Sequence, residues 1–329
     1  MSEPQDSPRA QDATAPFHAG ELRLQDITGV RERMAQVGRN FIRDHMPDQH
    51  RAFFAQLPFV IAAGLDALGQ PWATILAGEP GFMHTPDAQH LQIRQVSRPA
   101  DPLAALWQPG APIGLLGIEP HTRRRNRMNG RLDAADAQGM LVAVRQSFGN
   151  CPKYIHPRRV VWQAGEGGGP ACHVSAEGAV LSERARAMVA QADTLFIASA
   201  SPDAGQPSPA RSGGVDVSHR GGPVGFARLD QVPGGEHGAH TTLTIPDYVG
   251  NFMFNTLGNI LLQPRLGLLF VDFQSGATLH LAGHAEVLLD SPELARFEGA
   301  QRLLKVRVTQ GWLIEGALPQ LAVLPGEPA

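Results

Sequence analysis

GLLGIE (114–119) returns later in the same chain as GLLFVD (267–272), and that pair decides the fold. Both read as buried strands: short apolar runs opened by glycine and closed by an acidic residue. Working outward, Gly130 falls opposite Gly283 at the same spacing, so Gly114 to Gly130 aligns without a gap. Upstream, Gly69-Gln70-Pro71 recurs as Gly205-Gln206-Pro207, each after an apolar run (PFVIAA, TLFIAS). Gly81-Phe82 recurs as Gly225-Phe226, and Gln108-Pro109 as Gln263-Pro264. The two pairs furthest upstream have smaller offsets, which implies extra residues in the second copy. One such pair is chance; five in one order mean duplication of a unit that packs against its own copy.

The texture of each copy is β. Gly and Pro are plentiful and punctuate short apolar runs, which favours many strands over a few long helices. Helices are expected at the margins. Val30, Met34, Val37 and Phe41 recur at helical spacing, 48–57 offers Phe53, Phe54 and Leu57, and 181–192 also reads as helix. The expected organisation is a structureless 1–20, a helical lead-in over 21–57, a first barrel over 58–163, a Gly-rich linker over 164–171 and a second barrel over 172–329.

Bulk properties exclude several classes. The net charge of −3 gives no basic field for nucleic acid, and on a strand only half of the run Arg123–Arg127 shares a face. Cys151 and Cys172 make neither a disulfide framework nor a zinc pattern. The apolar stretch 260–273 is broken by Gln263, Pro264 and Arg265, so no membrane span is expected, and the first residues lack a secretory pattern. A cytoplasmic protein follows as the expectation.

The second copy carries groups suited to an anion. GQPSPAR (205–211) ends in Arg211, expected on the next strand. VSHRGGPVGF (217–226) reads as a turn that brings Ser218, His219, Arg220 and Gly221 together. TTLTIPDYVGNFMFNTLGN (241–259) runs from a strand into a polar helix start with Asn251, Asn255 and Thr256. An arginine fork, glycine-turn N–H groups and a helix N-terminus are phosphate ligands in combination.

These residues resemble the FMN-binding split barrel of pyridoxamine 5'-phosphate oxidase and its relatives. The resemblance lies in strand–GxPxxR–strand–turn–GF–strand, with one residue more before the arginine in GQPSPAR, then a polar helix ending near a proline. It implies a mostly β fold: two tandem six-stranded FMN-binding split barrels, with peripheral helices, forming an intrachain pseudo-dimer. In the family the GxPxxR arginine and the helix start hold the FMN phosphate, which assigns Arg211 and the 251–256 segment. Where the family often has a lysine on that helix, this chain has Thr256. RRNRMNG (124–130) is similar to the family's RQVRVEG strand, which puts Arg125 and Arg127 near the flavin. QSFGNCPKYI (146–155) resembles a loop of the broader FMN-binding group and adds Ser147, Asn150 and Lys153. The first copy lacks a match to Arg211, since Thr74 or Ile75 falls there, so one site built from both copies is expected.

The function implied by the resemblance is flavin redox chemistry: hydride or electron transfer to a small organic substrate or to a reductase partner. The alternative is a flavin-binding carrier or sensor without turnover. A homodimer stays open; nucleic acid, membrane and metal are not expected.

Overall fold

The computed structural model describes residues 15–94, 103–163, 172–207, 210–234, 238–318 and 320–324. The expected linker at 164–171 lies outside these residues, as do 1–14.

Three helices lead in: α1 (Ala19–Ile27), α2 (Arg31–Phe41) and α3 (Asp48–Gln56). A first sheet follows from β1 (Phe59–Leu65), β2 (Pro71–Ala77), β3 (Met83–His84), β4 (His90–Arg94), β5 (Pro112–Glu119), β6 (Arg124–Asp136) and β7 (Gly139–Gly149). Strands β8 (Arg159–Trp162) and β9 (His173–Glu177) and helix α4 (Glu183–Gln191) connect it to a second. That sheet comprises β10 (Thr194–Ala200), β11 (Val215–Gly221), β12 (Arg228–Val232), β13 (His240–Tyr248), β14 (Arg265–Asp272), β15 (Ala277–Leu288) and β16 (Ala300–Glu315). Helix α5 (Asn255–Leu262) sits between β13 and β14, and β17 (Leu321–Leu324) returns to pair with β8. The protein is mostly β, with antiparallel pairing throughout. No described helix is long and apolar enough to cross a membrane.

The two sheets have the same strand order. The first runs β2-β1-β5-β6-β7-β4-β3 and the second β11-β10-β14-β15-β16-β13-β12, with β9 added on β16. Each path thus has seven strands rather than the expected six. Register agrees as well: Ile61 pairs with Leu116 in one sheet and Phe196 with Leu269 in the other.

Alternation along the strands explains how both faces of each sheet are buried. On β1, Val60 and Ala62 join a core with Phe53, Phe54, Leu91 and Leu115. Phe59, Ile61 and Ala63 point the other way, into a core shared with Phe196, Ala198, Val217 and Leu269 of the second sheet. On β10, Leu195 and Ile197 face a third core under α4 and α5. The sheets approach closely at two reciprocal glycines. A Cβ on Gly114 would lie 2.6 Å from the Val215 carbonyl oxygen, and one on Gly267 would lie 2.6 Å from that of Pro71. Only glycine admits backbone this near.

Several local expectations are corrected. Residues 15–20 are ordered, with Phe17 and His18 buried, because His18 caps α1 and Phe17 packs beside Gly38. Ser218, His219, Arg220 and Gly221 lie on β11 rather than in a turn. Arg211 lies in a turn, since β11 starts only at Val215. Asp203 holds that turn by accepting from the Ser201 hydroxyl and from the Ala210 N–H at 3.0 Å. Helix α5 starts at Asn255 rather than near Asn251, because Phe252 and Phe254 take positive φ (60° and 63°) and interrupt helical geometry.

Candidate functional site

A cleft of about 870 Å³, counting space open to solvent, lies where the two halves meet. From the first half, β6 supplies Arg125 and Arg127, and the loop after β7 supplies Asn150, Cys151 and Tyr154. From the second, β11 supplies Ser218, His219, Arg220 and Gly221. The end of β13, the following loop and the start of α5 supply Asp247, Tyr248, Asn251, Asn255 and Thr256.

Strand alternation makes this arrangement. Arg125 and Arg127 are two apart on β6 and so share a face, with Asn126 between them turned away. Arg127 is buried. Its Nη1 donates to Asp216 Oδ1 at 3.1 Å and to Asn255 Oδ1 at 2.9 Å, while its Nε has no partner. Arg125 Nε donates to the Cys151 carbonyl at 2.9 Å, and its Nη1 lies 2.9 Å from His219 Nδ1. A guanidinium only donates, so His219 Nδ1 accepts and its proton sits on Nε2. Burial, reinforced by Arg125 and Arg220, holds the His219 imidazole well below its usual pKa, hence neutral.

Asp247 anchors two more cations. Its Oδ1 lies 2.9 Å from Arg220 Nη1, and its Oδ2 accepts from Arg302 Nε at 3.0 Å. Four guanidiniums (Arg125, Arg127, Arg220, Arg302) therefore face two carboxylates (Asp216, Asp247), which leaves a positive excess for an anion.

Helix α5 points its N-terminus into the same space. Its first-turn N–H groups have no intrahelical acceptor, and the Phe254 N-cap supplies no side-chain hydrogen bond. Ser218 and Thr256 hydroxyls meet 2.7 Å apart beside it. The left-handed Phe254 carries Arg302 at 4.9 Å from its ring centroid, and the Phe252 ring carries Arg33 at 5.2 Å. Strain of this kind clusters at ligand sites. Tyr154, itself at φ 62°, stacks on Tyr248 at 5.2 Å between centroids, one ring from each half, and its hydroxyl donates to the Val249 carbonyl.

Ten residues expected from sequence line this cleft together: Arg125, Arg127, Asn150, Ser218, His219, Arg220, Gly221, Asn251, Asn255 and Thr256. Three do not. Ser147 is on β7, fully buried, and bonds His50 Nδ1 at 2.8 Å. Lys153 is exposed on the loop after β7 and does not line the cleft. Arg211 donates to the Ile42 carbonyl at 3.0 Å, which ties its turn to the end of α2. Sequence reasoning missed Asp247, Arg302 and Glu21. Glu21 stands three residues after His18 in a capping-box spacing, a readable signal obscured because histidine is an unusual cap.

No family model matches the chain, and no curated protein matches it. Solved structures similar to parts of it include a candidate pyridoxamine 5'-phosphate oxidase from Lactobacillus delbrueckii (16% identity, TM-score 0.29, 40% of this chain and 93% of that one). They also include an FAD-binding protein from Mesorhizobium loti (11%, 0.27, 43% and 97%). A third is the heme storage protein HutZ from Vibrio cholerae (14%, 0.26, 41% and 95%).

Proposed function

We propose that this chain is an FMN-binding flavoprotein, built as an intrachain pseudo-dimer of two split barrels over 58–163 and 172–329. The shared strand order, the matched register and the reciprocal contacts of Gly114 and Gly267 support the duplication. The observation that carries the function is the composite cleft. It has a positive excess, an uncapped helix N-terminus and a buried arginine Nε without a partner, which together suit a phosphate monoester.

The donor set fits FMN. The α5 N-terminus, Ser218, Thr256, Arg220 and Arg127 would hold the phosphate, with Asn251 and Asn255 beside them. Arg125, His219, Gly221 and Asn150, with the Tyr154–Tyr248 pair, would hold the ring. When bound, FMN supplies two-electron redox chemistry. The protein's part is to orient the ring, to keep a neutral imidazole and a cation beside it, and to limit water. The proposed activity is an oxidoreductase serving a small organic substrate or a reductase partner in the cytoplasm. Ser147, Lys153 and Arg211 are left out of this proposed set.

The absorbance spectrum of the purified protein, with mass analysis of released cofactor, tests the reading. A flavin spectrum and released FMN support it; a Soret band, or no FMN uptake on titration, overturns it. NAD(P)H consumption by the loaded protein then separates an enzyme from a flavin carrier or sensor.

A further inference from the structure

Helix α1 belongs to neither sheet, yet it reaches the anion end of the cleft. It lies against α5 at backbone distance. A Cβ on Gly20 would sit 2.1 Å from the Gly258 carbonyl oxygen, and one on Gly258 would sit 2.6 Å from the Glu21 nitrogen. This contact delivers Glu21, which is buried, to the first residue of α5. Glu21 Oε1 accepts from Asn255 Nδ2, and its Oε2 accepts from the His18 N–H at 2.8 Å.

We propose that Glu21 is a positioning residue for the anion end of the cleft, acting through Asn255 on Arg127. The inference rests on the FMN reading above. An amide side chain has one accepting end and one donating end. Because Glu21 accepts from Nδ2, the Asn255 oxygen must face Arg127, where it takes the Nη1 proton at 2.9 Å. The opposite orientation would set an amide NH2 against a guanidinium, donor against donor. Asp216 takes the same Nη1 from another side at 3.1 Å. The guanidinium is thus pinned with its Nε unpartnered, and ligand is the natural acceptor for it. A further carboxyl group, held on a helix outside both sheets and pushed up in pKa by its burial, fixes which way a ligand-directed arginine points.

The test uses the full chain and two substitutions. In Glu21→Gln one oxygen can still accept from the His18 N–H and keep the helix cap. The new NH2 then meets Asn255 Nδ2 and turns that amide over. Gly20→Ala reaches the same link differently, by wedging α1 off α5. FMN and riboflavin differ by the phosphate, so their affinity ratio reads the anion end alone. Each substitution is expected to weaken FMN about ten-fold and riboflavin less than about two-fold. A general structural defect would weaken both ligands by the same factor. If Glu21→Gln does not accumulate as folded protein, Gly20→Ala decides. Parental selectivity in the substituted proteins, or equal loss for both ligands, overturns the role of Glu21 and leaves the FMN reading standing. Wild-type protein that binds neither FMN nor inorganic phosphate overturns that reading, and this inference with it.

Discussion

Arg127 Nη1 lies 2.9 Å from Asn255 Oδ1, and this hydrogen bond joins a strand of the first sheet to a helix of the second. The same nitrogen pairs with Asp216, which also accepts from Asn129 Nδ2 at 2.8 Å. A charge shared by two halves of a chain makes the cleft and the fold interdependent. Removing Arg127 leaves Asp216 a buried carboxylate without its cation, the costly way to break such a pair. Arg127→Met should lower unfolding free energy by about 3–5 kcal/mol in urea denaturation. A loss within about 0.5 kcal/mol would mean that the pair does not hold the halves together.

The reciprocal glycines give a test of the inter-sheet contact. Alanine at either position drives a methyl group into a carbonyl oxygen of the facing sheet at 2.6 Å, so backbone on both sides must move. Gly114→Ala and Gly267→Ala should each destabilise by about 1–3 kcal/mol, and by similar amounts, since the contacts are equivalent. A large loss at one and none at the other would contradict the equivalence.

These contacts also show how far the sequence could be read. The GLLGIE and GLLFVD pair located β5 and β14 correctly, because a buried strand is announced by its own short apolar run. The RRNRMNG strand put Arg125 and Arg127 on one face for the same reason. Arg211 illustrates the failure. Gly69-Gln70-Pro71 runs straight into β2, but Gly205-Gln206-Pro207 enters a longer turn closed by Asp203. Register therefore sets Val215 opposite the role of Pro71, and the arginine falls short of the strand. Asp247, Arg302 and Glu21 come from three distant segments, and no local pattern announces that they meet at one cleft.

Tyr154 offers a test of backbone strain. Its φ of 62° is left-handed, which costs a residue with a Cβ about 1–2 kcal/mol, and its stacking on Tyr248 offsets part of that. Tyr154→Ala loses the stacking and keeps the strain, so it should destabilise by about 1 kcal/mol. Tyr154→Gly loses the stacking and relieves the strain, so it should stay within about 0.5 kcal/mol of wild type. Thermal unfolding of the two proteins side by side decides; a glycine variant no more stable than the alanine variant removes the strain argument.

Acid stability should report on His50. Partial burial and the nearby Arg43 and Arg124 lower its pKa to about 4. The unfolded chain, with an ordinary imidazole, binds the extra proton first. Stability is therefore fully present above about pH 6.5 and is lost as pH falls toward about 4. His50→Asn removes the titrating ring, and the amide stands in for its bond to the Ser147 hydroxyl. The slope of unfolding free energy between these pH values should flatten in His50→Asn; an unchanged slope would assign it to other groups.

One FMN per chain is the last expectation, and it follows from register. The position of Arg125 on β6 is taken by Thr278 on β15, and that of Arg127 by His280, at the spacing set by Leu116 and Leu269. On the other wall, Ser218, His219 and Arg220 of β11 correspond to Thr74, Ile75 and Leu76 of β2. None of the three arginines has a cationic counterpart except through histidine, and His280 is buried with its Nδ1 on the Ala73 carbonyl and its Nε2 on Thr278. Trp72 stands where Asp216 stands in the other half, tilted against Trp312 with ring centroids 4.6 Å apart and packed with Leu103 and Leu106. An apolar, aromatic-filled position cannot compensate a phosphate, because burying an unpaired dianion costs more than the ring contacts return. Titration followed by flavin fluorescence should therefore saturate near one equivalent per chain. Arg220→Ala should weaken that single site about ten-fold, while Arg211→Ala should leave the preference for FMN over riboflavin unchanged. Saturation at two equal equivalents would refute the asymmetry.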